Sequence, residues 1–139
     1  MTLLARVYNN EQTKFIEKNL ESAIKGLRVK TEICGIISRG WVQILVSGED
    51  ETVALRHLAD EIGLCPAHLE DVEKSSIIRG RIVSPNKSSG ELYVDIGVFS
   101  PNIVDAAIPL ICLQAQLVDG RKVALEKLIK LFGFCEGLP

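Results

Sequence analysis

Five side chains between residues 79 and 99 carry the chemistry of nucleic-acid binding: Arg79, Arg81, Lys87, Tyr93 and Phe99. Guanidinium and ammonium groups pair with phosphate oxygens, and aromatic faces stack on unpaired bases. Arg79 and Arg81 alternate with Ile78, Gly80 and Ile82, so in a strand both project from one face. Tyr93 adds a stacking face where it shares that surface, Lys87 lies in the following turn, and Phe99 stands in a loop after Gly97-Val98. The competing reading is a solvated strand face over a core tyrosine, which is the commoner fate of charged residues.

Other chemistry is thinner. Cys65-Pro66-Ala67-His68, with His57 nearby in sequence, has the look of half a metal site. A structural zinc needs four ligands, and no second pair is present, so no metal is expected. Asp95 and Asp105 are the acids of the best-patterned region and would suit acid–base work as a pair. The plainer reading makes Asp95 a surface or turn residue and Asp105 a loop residue. Ser88-Ser89-Gly90 is too short for a phosphate loop and lacks a following helix. No nucleophile–base grouping can be named, so neither an enzyme nor a cofactor is expected.

The elements that must position these residues read as α+β. Residues 2–8 form a first strand, and Asn9 or Asn10 caps a helix over 11–27. Its apolar stripe is Phe15, Ile16, Leu20, Ala23, Ile24 and Leu27, with Gly26 near the stop. Residues 28–37 alternate, with Val29, Thr31, Ile33 and Gly35 against Lys30, Glu32, Cys34 and Ile36. Ser38-Arg39-Gly40 turns the chain into a strand over 41–46, in which Trp41 is a core residue or an interface anchor. A second helix follows on Val53, Ala54, Leu55, Leu58, Ala59 and Ile62, closed by Gly63 and Pro66. This β-α-β-β-α order is a ferredoxin-like unit lacking its last strand. That strand is expected near 69–72 or at 77–83.

Residues 1–73 are thus expected to form one domain and 74–139 a second. The second contains three short β runs within 76–110, a short helix or turn over 112–118, and an amphipathic helix over 122–132 with a charged face of Lys122, Glu126, Lys127 and Lys130. The ending Glu136-Gly137-Leu138-Pro139 looks abrupt, as though a further strand follows, and an open edge there would invite another chain.

Composition agrees with an ordinary folded protein. Of 139 residues, 47% are hydrophobic and 5% aromatic, so Ile, Leu, Val and Ala build the core. The net charge of −2 excludes a strongly basic nucleic-acid binder. Its distribution is uneven: residues 1–73 hold 8 basic and 12 acidic groups, and residues 74–139 hold 8 basic and 6 acidic. Four widely spaced cysteines, without a CxxC pair, point to a reducing cytosol, with Cys34 and Cys112 read as small buried hydrophobes. No signal peptide or membrane span is expected.

Two resemblances attach to these residues. Gly80-Arg81-Ile82-Val83, Gly90-Glu91-Leu92-Tyr93-Val94-Asp95-Ile96-Gly97 and Ala107-Ile108-Pro109-Leu110 resemble the first strands of OB-fold RNA-binding domains of the ribosomal S-one and cold-shock kind. The resemblance covers about a quarter of the chain and implies a partial barrel that binds single-stranded or structured RNA. The chain departs from that pattern in three places. One extra residue separates Gly90 from Tyr93, Ser89 stands where an aromatic is common, and two further barrel strands have no counterpart. More widely, VDIGV, DAAIPL and LQAQLVDGRKVALEKLIKLFGF, with Arg79-Gly80-Arg81 and the early helix–strand unit, resemble an archaeal family of uncharacterised proteins, longer than this chain. That family implies no activity to carry over.

The expected function is cytosolic RNA binding through residues 79–99. The alternative is an assembly domain that forms homo-oligomers by pairing its open sheet edge.

Overall fold

Asn9 starts the first helix by accepting a hydrogen bond from Gln12 N–H at 2.9 Å, and Gln12 Oε1 accepts from Tyr8 N–H at 2.7 Å. The first bond satisfies a donor that an uncapped helix start leaves open, the second ties down the residue before the cap, and such a cap is worth about 1 kcal/mol. In the computed structural model, which describes residues 1–66, 68–83 and 90–139, this helix is α1 (Asn10–Ala23). It follows β1 (Thr2–Arg6) and leads to β2 (Val29–Ile37), β3 (Trp41–Gly48), α2 (Glu51–Glu61) and β4 (Leu64–Cys65). The four strands form one sheet in the order β2-β3-β1-β4, with every neighbouring pair antiparallel.

The second sheet is β5 (Arg81–Ile82), β6 (Glu91–Val98) and β7 (Val104–Pro109), paired antiparallel in that order. Two helices follow, α3 (Leu110–Leu117) and α4 (Leu125–Phe132), the latter ended by Gly133 in the left-handed conformation at φ 66°. The fold is therefore α+β, with four α-helices and two antiparallel sheets among the described residues.

Each sheet covers its own apolar core. Leu3, Val42, Ile44 and Val46 pack under Leu20 of α1 and Ala54 and Leu58 of α2. Leu3, Ile44 and Leu58 are fully buried, and each such side chain contributes roughly 1.5–3 kcal/mol. The second core joins Ile82 and Leu92 to Leu113, Leu125 and Leu128. The outer face of the first sheet then receives the second sheet at Trp41 and Cys65, which are both buried, as is Thr2, the strand partner of Cys65.

Several expectations need correction. The strand that completes the first sheet is Leu64–Cys65, directly after Gly63, and not residues 69–72 or 77–83. Two residues are too few to show a period, which is why the sequence hides it. Within 77–83 only Arg81 and Ile82 pair, and Ile77 is fully exposed. Phe15 does not join the buried stripe of α1 and is 64% exposed. The inward face runs through Ile16, Leu20, Ala23 and Ile24, and Phe15 lies one step around the helix. Cys34 and Cys112 are exposed rather than buried. Cys34 falls on the outward alternation of β2, and Cys112 lies on α3 beside the inward-facing Leu113.

Candidate functional site

A chain of charges locks the two sheets together. Arg6, at the end of β1, lies over the Trp41 ring with its guanidinium carbon 4.4 Å from the centroid, and it is ion-paired with Asp95 of β6. Trp41 Nε1–H lies 3.2 Å from both carboxylate oxygens of Asp95, and Gly97 N–H donates to Asp95 Oδ1 at 3.0 Å. Asp95 is only 2% exposed, so it is not the surface or turn residue expected. Burying a carboxylate is tolerated because two cations and two N–H donors surround it.

Arg39 supplies the second cation from the tip of the β2–β3 turn. Its backbone is left-handed at φ 63°, followed by Gly40 at φ 85°. Few side chains other than Asn, Asp and His adopt that conformation readily. It places Arg39 Nη1 2.5 Å from Asp105 and 3.3 Å from Asp95. The Arg39 pKa is raised, first by its hydrogen bond to Asp105, with burial opposing and both carboxylates assisting. Asp95 and Asp105 face each other across β6 and β7, as a pair would. They are engaged as anchors for two arginines, which leaves little of either carboxylate for acid–base work.

Beside this cluster is a cleft of about 490 Å³ lined by Arg6, Tyr8, Arg39, Asp95, Val83 and Glu136. Both of its arginines are already paired with acids, and Glu136 adds another negative group, so among the described residues the cleft has no uncompensated positive charge to attract phosphate.

The five residues singled out from sequence are dispersed. Arg81 donates from Nη1 to the carbonyl of Gly137 at 2.9 Å. Around it, Ile82 N–H bonds Leu138 O and Gly137 N–H bonds Ile82 O, both at 2.8 Å, so residues 137–138 cover the outer edge of β5. The Tyr93 hydroxyl donates to Glu91 Oε2 at 2.9 Å. Phe99 is half-buried, its ring centroid 6.3 Å from that of His68. Arg79 is exposed and lines a different recess, an apolar one of about 470 Å³ walled by Ile82, Leu92, Leu113 and Phe134. Lys87 lies outside the described residues. Arg81 and Tyr93 share the face of Asp95, because Arg81 pairs with Asp95 and Tyr93 is two residues before it. Arg79 is not brought to them.

Cys65 and His68 do not form a site. The Cys65 thiol lies 3.7 Å from Leu3 O, and burial, followed by the nearby Asp95 charge, pushes its pKa up to about 12. His68 is exposed. Among the described residues, no group of three or more His, Cys, Asp or Glu is placed to hold a metal. No helix among them is long and apolar enough to cross a membrane.

A second feature is the open edge of the first sheet. β2 is the outermost strand, nine residues long, with its burial alternating residue by residue as the sequence pattern predicts. It contains no proline. Lys30 and Glu32 project from its exposed face, and Leu45 of β3, paired with Glu32, is 54% exposed beside them.

Arg6, Arg39, Lys30 and Glu32 were not singled out as candidate site residues from the sequence. The available signal was a lone charge of each sign inside an apolar strand, Arg6 within Leu3–Val7 and Asp95 within Leu92–Val98. A lone charge between apolar neighbours needs a partner when both strands are buried.

Comparison with known proteins adds one match. No curated protein and no solved structure matches the chain. Over residues 1–68, the stretch that builds the first sheet and its two helices, the chain matches the family model described as the DUF2110 N-terminal domain, an uncharacterised family.

Proposed function

We propose that the chain is a non-catalytic assembly module of the cytosol that associates with a second copy of itself along the open edge of β2. The observation that carries this reading is a nine-residue strand with no proline whose outer side pairs with no other strand among the described residues. Such an edge presents a row of backbone donors and acceptors that another strand satisfies. Of the other edge strands, β4 has only two residues, β5 is covered by residues 137–138, and β7 is shorter, at six residues, and ends in Pro109. The strand order β2-β3-β1-β4 and the β-α-β-β-α-β sequence support a ferredoxin-like assignment for the first unit. The three-strand meander of β5, β6 and β7 supports the first part of an OB-like unit.

Light scattering across a concentration series tests the reading. The wild type is expected to shift from monomer toward dimer, and Thr31→Pro, which removes one outward donor, is expected to stay monomeric. A wild type that remains monomeric removes the reading.

RNA binding is the second reading, and Arg79 is the observation that favours it. Arg79 is exposed and has no hydrogen-bond or ion-pair partner among the described residues. It predicts salt-sensitive binding of a single-stranded RNA pool that weakens in Arg79→Ala. Absence of binding at low salt removes it.

A further inference from the structure

The regular part of the β2 edge is short and has a definite phase. β2 pairs with β3 without a break from Val29 to Ile33, and the register shifts between Ile33 and Gly35. At the start of this ladder Glu49 N–H donates to Arg28 O at 3.0 Å. Backbone groups of successive residues in an antiparallel strand point alternately to the two sides. The amides and carbonyls of Lys30 and Glu32 therefore face β3, and those of Val29, Thr31 and Ile33 face outward.

That phase restricts how a second copy can pair. Closed dimers use the same surface on both chains, so a two-fold axis passes through the strand. With the axis at Thr31, all three outward residues are used: Thr31 meets the partner's Thr31, and Val29 meets the partner's Ile33. Moving the axis to Lys30 or to Glu32 leaves one outward residue unused. It also brings Lys30 against the partner's Lys30, or Glu32 against the partner's Glu32.

At Thr31 the charges do the opposite. Lys30 stands across from the partner's Glu32, and Glu32 from the partner's Lys30. Both pairs occupy the non-hydrogen-bonded positions, where facing Cα atoms are about 4.5 Å apart and side chains lie closest. Lys30 and Glu32 are exposed, and neither has an ion-pair partner within the chain among the described residues. Charged side chains, lysine above all, commonly protect an edge against pairing. This edge carries one of each sign, placed symmetrically about the middle of its regular stretch.

We infer that two copies pair antiparallel along Val29–Ile33 with the two-fold axis at Thr31, selected by two Lys30–Glu32 cross-strand pairs; this rests on the assembly reading above. The area involved is small, which places the dimer among weak, transient associations. The test is sedimentation equilibrium of the wild type, Lys30→Glu, Glu32→Lys, the double variant and an equimolar mixture of the two single variants. Each single variant places like charges at both pairs and is expected to weaken the dimer about tenfold or more. The double variant restores it, and so does the mixture, because one chain then offers two acids and the other two lysines. A wild-type dimer with both single variants unaffected overturns the register and leaves assembly standing. A wild type that is monomeric throughout overturns both.

Discussion

Trp41 and Asp95, 54 positions apart in the chain, meet with the indole N–H 3.2 Å from both carboxylate oxygens. The contact joins the first strand after the β2–β3 turn to the central strand of the second sheet. Arg6 completes it by stacking on the ring and pairing with the carboxylate at once. A guanidinium suits that double role because it is planar and permanently charged.

Removing the carboxylate charge should therefore cost far more than a surface substitution. Asp95→Asn leaves Arg6 largely buried without its counter-ion. Breaking a buried pair from one side costs about 3–5 kcal/mol. Urea unfolding of this variant should show a large fall in midpoint. Arg39→Ala, whose side chain is 37% exposed, should cost less than about 1 kcal/mol. Equal losses in the two variants would contradict the central position of Asp95.

Gly97 allows the two sheets to approach. It has φ +80°, and a Cβ there would lie 2.6 Å from Cys65 Cβ and 2.9 Å from its Sγ. Gly97→Ala should lose about 2–4 kcal/mol, combining backbone strain with overpacking. Gly90→Ala is the control, since Gly90 has φ +68° and nothing within 4 Å of its would-be Cβ. It should lose about 1–2 kcal/mol from the backbone alone.

Thiol labelling should separate the cysteines. Cys34, Cys112 and Cys135 are exposed and should react in the native protein at pH 8, while Cys65 reacts only after unfolding. The raised Cys65 pKa also fixes a pH dependence. Above an ordinary thiol value of 9.0 the unfolded chain loses this proton, and the folded chain keeps it up to about 12. The unfolded state then binds fewer protons, so stability falls as pH rises through that window, by on the order of 1 kcal/mol per unit. Urea midpoints of the wild type and Cys65→Ala should draw together as pH rises from 9. Parallel curves would contradict the burial of this thiol.

The repeating part of the fold was legible because it rests on local periods. The helical spacing of Ile16, Leu20, Ala23 and Ile24 and the alternation of Val29–Ile37 both appear in the structure. What the sequence hid depends on distant pairing. β4 is two residues long and exists because β1 is beside it. Asp95 resembles a surface acid until Arg6 and Trp41 are brought to it from the other end of the chain. Arg79 and Arg81 looked equivalent by alternation, but the strand starts at Arg81. Only Arg81 is committed to the Gly137 carbonyl. The β2 edge is the converse case. Its Lys30-Thr31-Glu32 pattern was visible, but its meaning depends on which amides face outward, and that phase comes from Glu49 bonding to Arg28.

Amide hydrogen exchange along β2, followed by NMR at low and high protein concentration, reads that phase residue by residue. The Lys30 and Glu32 amides, bonded to β3, should be protected at every concentration. The Thr31 and Ile33 amides should exchange freely in dilute solution and become protected as concentration rises toward about 1 mM, the range of weak association. Thr31 and Ile33 amides that exchange equally fast at all concentrations would contradict assembly through this edge.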